Sequence, residues 1–191
     1  MIMLAWRLNM HKVQQCRNWL TDTEWQYSLS LTAKRQQEFC NGRAMVRQLL
    51  QHKKLAEPHQ VMIDLPSTKA PHLYLPAAQA ELSISHSGTA VAVAISNHVL
   101  GLDIEQQKPR DFNSLRQPFP ALQGGETLYD FYRRWTACEA YSKYSGQPLT
   151  QVLKQPLPED ISLFYLPLTN YVLCLCYRGD TPNIEQIGDP A

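Results

Sequence analysis

Twice along this chain a long helical pattern leads into a pair of strands, and that repeated order points to helices packed on antiparallel sheets. In the first instance Phe39, Met45, Val46, Leu49 and Leu50 recur at helical spacing between Thr32 and His52, among Arg, Lys and Gln. Gly42 sits inside that pattern, at a cost of about 1 kcal/mol relative to alanine. In the second, Thr127 to Ser145 contains no proline or glycine, carries Leu128, Phe131, Tyr132, Trp135, Cys138 and Tyr141, and is stopped by Gly146. Residues 2–8 and Val61–Leu65 read as strands, and Pro66 to Pro76 as an irregular connection. The alternation in Leu82–Ser85, Val91–Ile95 and Leu100–Glu105 predicts a three-stranded antiparallel meander. Residues 106–125 read as loop, and Ile161–Leu166 with Tyr171–Cys176 as a hairpin around Thr169-Asn170. The expectation is an α+β fold of two similar lobes, 1–98 and 99–191, each an antiparallel sheet on a long helix, with the active site in the cleft between them. The echo is one of architecture and not a sequence repeat.

The bulk chemistry narrows the function classes. A net charge of +1 argues against a strongly basic nucleic-acid binder. The apolar start Met1–Leu8 is interrupted by Arg7 and lacks a secretory pattern, and no stretch approaches a membrane span. Five cysteines, Cys16, Cys40, Cys138, Cys174 and Cys176, form no CxxC pair, which favours reduced core thiols and a cytoplasmic protein. Cys174 and Cys176 share one strand face and read as core packing.

Three short segments concentrate the chemistry. Asp103 and Glu105, two apart on a strand, point to one face. Such a pair is commonly a solvated acidic strand end; brought together, the two carboxylates favour a hard cation such as Mg²⁺ bound with substrate phosphates. Glu139 and Lys143 are spaced i, i+4 on the second helix, which alone makes an ordinary surface ion pair. Trp135, one turn earlier on the same face, sets them beside a bulky apolar group. A third carboxylate there suits a metal shell or a general base, and the lysine a leaving phosphate. His86 lies between Ser85 and Ser87 and before Gly88. A lone histidine is more often structural, yet this Ser-His-Ser-Gly turn would offer hydroxyls, an imidazole and backbone N–H groups to a phosphate. No nucleophile-elbow pattern supports a serine hydrolase.

Ser85-His86-Ser87-Gly88, Gly101-Leu102-Asp103-Ile104-Glu105 and Trp135 through Lys143, in that order, resemble the 4′-phosphopantetheinyl transferase superfamily. The size and layout are similar to its larger, Sfp-type members, monomeric pseudo-dimers of two α+β halves. The resemblance implies that Asp103, Glu105 and Glu139 hold Mg²⁺ against the pyrophosphate of coenzyme A. It implies that Glu139, directly or through water, deprotonates the acceptor serine of an apo acyl or peptidyl carrier protein, and that Lys143 stabilises the departing 3′,5′-ADP. His86, with Ser85, would meet coenzyme A phosphate, Arg43 its 3′-phosphate, and Lys69, with Lys34 as a further candidate, the phosphates. Three departures stand out. Cys138 replaces the lysine that usually precedes the helix glutamate. Ala70 separates Lys69 from Pro71, where the family has Gly-Lys-Pro. The segment between Glu105 and Trp135 is short.

The implied activity is Mg²⁺-dependent transfer of 4′-phosphopantetheine to a carrier serine, with no nucleic-acid or membrane partner. Two alternatives compete. One is a degenerate member that binds coenzyme A or a carrier without efficient transfer. The other is an α+β interaction domain whose acidic pairs are surface charge.

Overall fold

A computed structural model describes residues 2–66, 71–76, 78–179 and the backbone of 183–186. In chain order the elements are β1 (Ile2–Arg7), α1 (Val13–Cys16), α2 (Asp22–Leu29), α3 (Ala33–His52), β2 (Met62–Ile63), β3 (His72–Tyr74), β4 (Gln79–Ser87) and β5 (Ala90–Ser96). They continue with β6 (Gly101–Gln106), α4 (Phe112–Arg116), α5 (Leu128–Ser145), α6 (Leu149–Val152), β7 (Ser162–Leu168), β8 (Tyr171–Tyr177) and β9 (Asn183–Gln186). The fold is α+β, and the chain divides into two compact units, Met1–Asn97 with Thr181–Ala191, and His98–Asp180.

The first unit is a six-stranded sheet in the order β2-β3-β4-β5-β1-β9. All its pairings are antiparallel except β1 with β9. Helix α3 lies on this sheet through Met45, Val46, Leu49 and Leu50, which pack with Met3, Val91, Val93 and Ile95. The expected mid-helix weakness at Gly42 has a packing reason. A Cβ there would lie 2.8 Å from Cγ2 of Ile84, so the missing side chain lets α3 approach β4 closely.

The charges of this unit are used as structure. Glu24 on α2, 3% exposed, closes a capping box with Thr21, whose N–H donates to Oε2 at 2.9 Å. It also receives Nη1 of Arg43 at 2.9 Å and Nη2 of Arg47 at 3.1 Å, both from α3 and both buried. Arg43 continues to the carbonyls of Ile63 and Asp64, and Arg47 to those of Pro58 and Val61. One buried carboxylate thus ties α2, α3 and the entry to β2 together.

The second unit is a three-stranded antiparallel sheet, β6-β8-β7, with α5 across it. Thr127 caps α5 by accepting from the Asp130 N–H at 3.1 Å, and Gly146 ends it at φ 70°. The hairpin β7–β8 turns at Asn170, which holds φ 60°. Gly101 begins β6 where the strand touches α5. A Cβ there would collide with the carbonyl oxygen of Ala140 and come within 2.5 Å of the Tyr144 nitrogen, both fixed backbone.

The expected meander does not form. β4 and β5 pair as read, but β6 leaves them and pairs with β8. The reason is edge occupancy: the other edge of β5 is taken by β1 from Val91 to Ser96, with register Ile2↔Ser96 to Arg7↔Val91. β1 is buried at all six positions. The connection Pro66–Pro76 contains a short strand, β3, and the loop 106–125 a one-turn helix, α4.

Substitution of Gly101 by alanine should cost about 3 kcal/mol in urea denaturation, because backbone must shift. Gly42→Ala should cost about 1 kcal/mol or less, since the Ile84 side chain yields and helix propensity offsets the contact. Glu24→Ala should lose about 3–5 kcal/mol by leaving two buried guanidiniums without their counter-charge.

Candidate functional site

Strand alternation and helix periodicity assemble an acidic cluster in the second unit. Gly101, Asp103 and Glu105 share the face of β6 that α5 covers. On α5, Glu139 and Lys143 precede Ala140 and Tyr144, the two residues nearest Gly101. Asp103, Glu105 and Glu139 therefore converge, each with a carboxylate oxygen within 4.8 Å of the others. Asp103 is buried and Glu105 and Glu139 half-buried. Lys143 reaches across to β6, donating to the Leu102 carbonyl at 2.8 Å and to Oδ1 of Asp103 at 2.9 Å.

The electrostatics are those of crowded anions. Burial, then the charge of Asp103, push the Glu139 carboxyl up to about 7, with Glu105 adding to the rise. The Lys143 ammonium and a hydrogen bond with Trp135 act in the other direction. This donor set fits a hard divalent cation: three carboxylates and no sulfur or imidazole, with more negative charge than one lysine neutralises.

Cys138 is not beside these charges. It is wholly buried among Leu122, Phe131, Tyr132, Val152 and Val172, about 100° around the helix from Glu139. Burial drives its thiol up to about 12. The charge difference expected from this departure therefore falls in the core.

The first unit carries a cavity of about 470 Å³ lined by Tyr27, Arg35, Glu38, Phe39, Arg43 and His86, among others. Arg43 stacks over Phe39 at 4.4 Å while its Nη1 is held by Glu24. Burial lowers the Arg43 pKa, and Glu24 opposes that shift. His86 presents Nδ1 to Oε1 of Glu38 at 3.4 Å. Glu38 also receives Arg35 at 3.3 Å and, from the exposed Lys34, a longer contact of 3.8 Å.

Other expected residues are placed differently. Ser85 is buried and lies on the opposite face of β4 from Ile84 and His86, which line the cavity. Ser85, His86 and Ser87 belong to the ladder with Ala92, Val91 and Ala90, so they form strand and not the anticipated phosphate-holding turn; the turn itself is Gly88-Thr89. Lys69 lies outside the described residues. Sequence reasoning passed over Tyr27, Arg35 and Glu38. The Lys34, Arg35 and Glu38 spacing was visible as a helix face, but nothing local showed that His86 meets it.

Among the described residues no helix is long and apolar enough to cross a membrane. Residues 29–96 match the family model described as the 4′-phosphopantetheinyl transferase N-terminal domain, which supports placement of the chain in that superfamily. The match ends before Gly101, so Asp103, Glu105 and Glu139 lie outside it. No curated protein matches the chain.

The Glu139 carboxyl, at about 7 against an ordinary 4.5, gives a stability signature. The unfolded chain ionises this group first, so its contribution to stability is whole below about 4.5 and is lost as pH rises through about 7. In EDTA, Glu139→Gln should be more stable than the native protein at pH 8 by about 1–2 kcal/mol, a figure discounted for solvent screening. The two should converge at pH 4. Urea titrations at the two pH values check this.

Proposed function

From the premise that residues 29–96 match a 4′-phosphopantetheinyl transferase N-terminal domain, we propose that the protein transfers the 4′-phosphopantetheine arm of coenzyme A to a serine of an acyl or peptidyl carrier protein, releasing 3′,5′-ADP. The observation that carries this reading is the convergence of Asp103, Glu105 and Glu139 within 4.8 Å beside Lys143. These three carboxylates would hold a divalent cation, in the family Mg²⁺, which when bound supplies charge neutralisation at the pyrophosphate.

The chain's own residues supply the rest. The serine Oγ forms a bond to the phosphorus that carries pantetheine, and the bond from that phosphorus to the bridging oxygen of 3′,5′-ADP breaks. Glu139, ionised and directly or through water, takes the serine proton. Burial beside Asp103 raises this carboxyl in the metal-free protein, and a cation held by the three carboxylates would offset that rise and keep Glu139 ionised. Lys143, its side chain 34% exposed, keeps Asp103 oriented, and its ammonium donates to the departing phosphate. His86 contacts the phosphates of coenzyme A, a task the family resemblance also assigns to Lys34 and Lys69; Arg43 lines the same cavity with its guanidinium already held by Glu24. Ser85, facing away from the cavity, takes no part. The five free, buried thiols suit work in the reducing cytoplasm, with the protein acting as a monomer.

Incubation with coenzyme A, Mg²⁺ and a panel of apo carrier proteins, read by intact mass, tests the reading. One phosphopantetheine should be gained per carrier, EDTA should abolish the gain, and Asp103→Ala or Glu139→Gln should slow it about 100-fold or more. Coenzyme A binding without modification of any carrier would identify instead a binding protein of the same family.

A further inference from the structure

The cavity of the first unit holds an acid where its other charged groups, Arg35, Arg43 and His86, are basic or can become so. Glu38 has a side chain only 7% exposed, and three potential cations converge on it: His86 Nδ1 at 3.4 Å, Arg35 Nη1 at 3.3 Å and Lys34 Nζ at 3.8 Å. Lys34 and Arg35 reach it from one and almost one turn earlier on α3, whereas His86 comes from β4. Arg43, the remaining cation of the wall, is already matched by Glu24 on the far side of the helix contact. The groups available to an incoming anion are therefore those that Glu38 holds.

We propose that Glu38 is the resident counter-ion of this cavity, a specificity-determining residue against which any phosphorylated ligand must compete for Arg35 and His86. Largely buried and held by Arg35 and His86, Glu38 stays in the cavity wall when the anion arrives. It keeps the cations gathered in the empty cavity and repels the ligand in the filled one, so it lowers affinity for anions and rewards those with enough charge to overcome it. The identity of the ligand as coenzyme A rests on the reading above; the counter-ion itself does not.

Calorimetry on the full chain without divalent cation, using inorganic pyrophosphate and separately 3′,5′-ADP, tests this. Glu38→Gln, which keeps shape and hydrogen bonding, should bind pyrophosphate about three- to tenfold more tightly than the native protein, with a steeper loss of affinity as salt rises. Glu38→Asp should stay near the native affinity, and adding Arg35→Gln to Glu38→Gln should cancel the gain. A positioning role alone would weaken binding in Glu38→Gln and leave the salt slope unchanged. Equal or weaker pyrophosphate binding by a Glu38→Gln variant with native circular dichroism overturns the proposal. A pyrophosphate gain with no binding of 3′,5′-ADP or coenzyme A by any form, with Mg²⁺ or without it, supports the counter-ion and overturns the coenzyme A reading.

Discussion

The close approach of β6 to α5 at Gly101 is the contact on which the acidic cluster depends. Only a residue without a side chain fits against the Ala140 carbonyl and the Tyr144 nitrogen. Asp103 follows two residues after Gly101 on the same strand face, and Glu139 and Lys143 immediately precede the two helix residues it touches. Packing and chemistry are therefore a single geometric fact in this unit. With the helix moved outward by the width of a methyl group, Lys143 would lose its bonds to β6 and the carboxylates would separate into ordinary surface acids.

The first unit uses charge in a different way. Glu24 takes two guanidiniums out of water, and its value lies less in net stability than in fixing which segments meet, because a buried ion pair repays little of its desolvation cost. Helix α3 thereby carries two charged faces with separate tasks. Arg43 and Arg47 are committed inward, while Lys34, Arg35 and Glu38 stand where a ligand can reach them.

Much of this was legible in the chain because it is local. The helices at 32–52 and 127–145 follow from periodicity and stop signals, and the carboxylate faces from spacings of two and four. What escaped was non-local. No pattern near Gly101 says that β1 already occupies the edge of β5, so the strand was assigned to the wrong sheet. Arg43 meets Glu24 across 19 residues of sequence, so its commitment to an ion pair was invisible. A single residue's direction was also hidden: Cys138 stands one place from Glu139 yet looks into the core. β3 was lost among prolines that elsewhere mark loops.

All five thiols are free and buried, two in the first unit and three in the second. Each is thereby a silent reporter of its own surroundings. A membrane-permeant alkylating reagent applied in pulses would pass over the native fold and mark Cys16 and Cys40 only when one unit opens, and Cys138, Cys174 and Cys176 only when the other does. Peptide mass mapping would then time the two openings separately in the unmodified protein, without dyes or introduced labels.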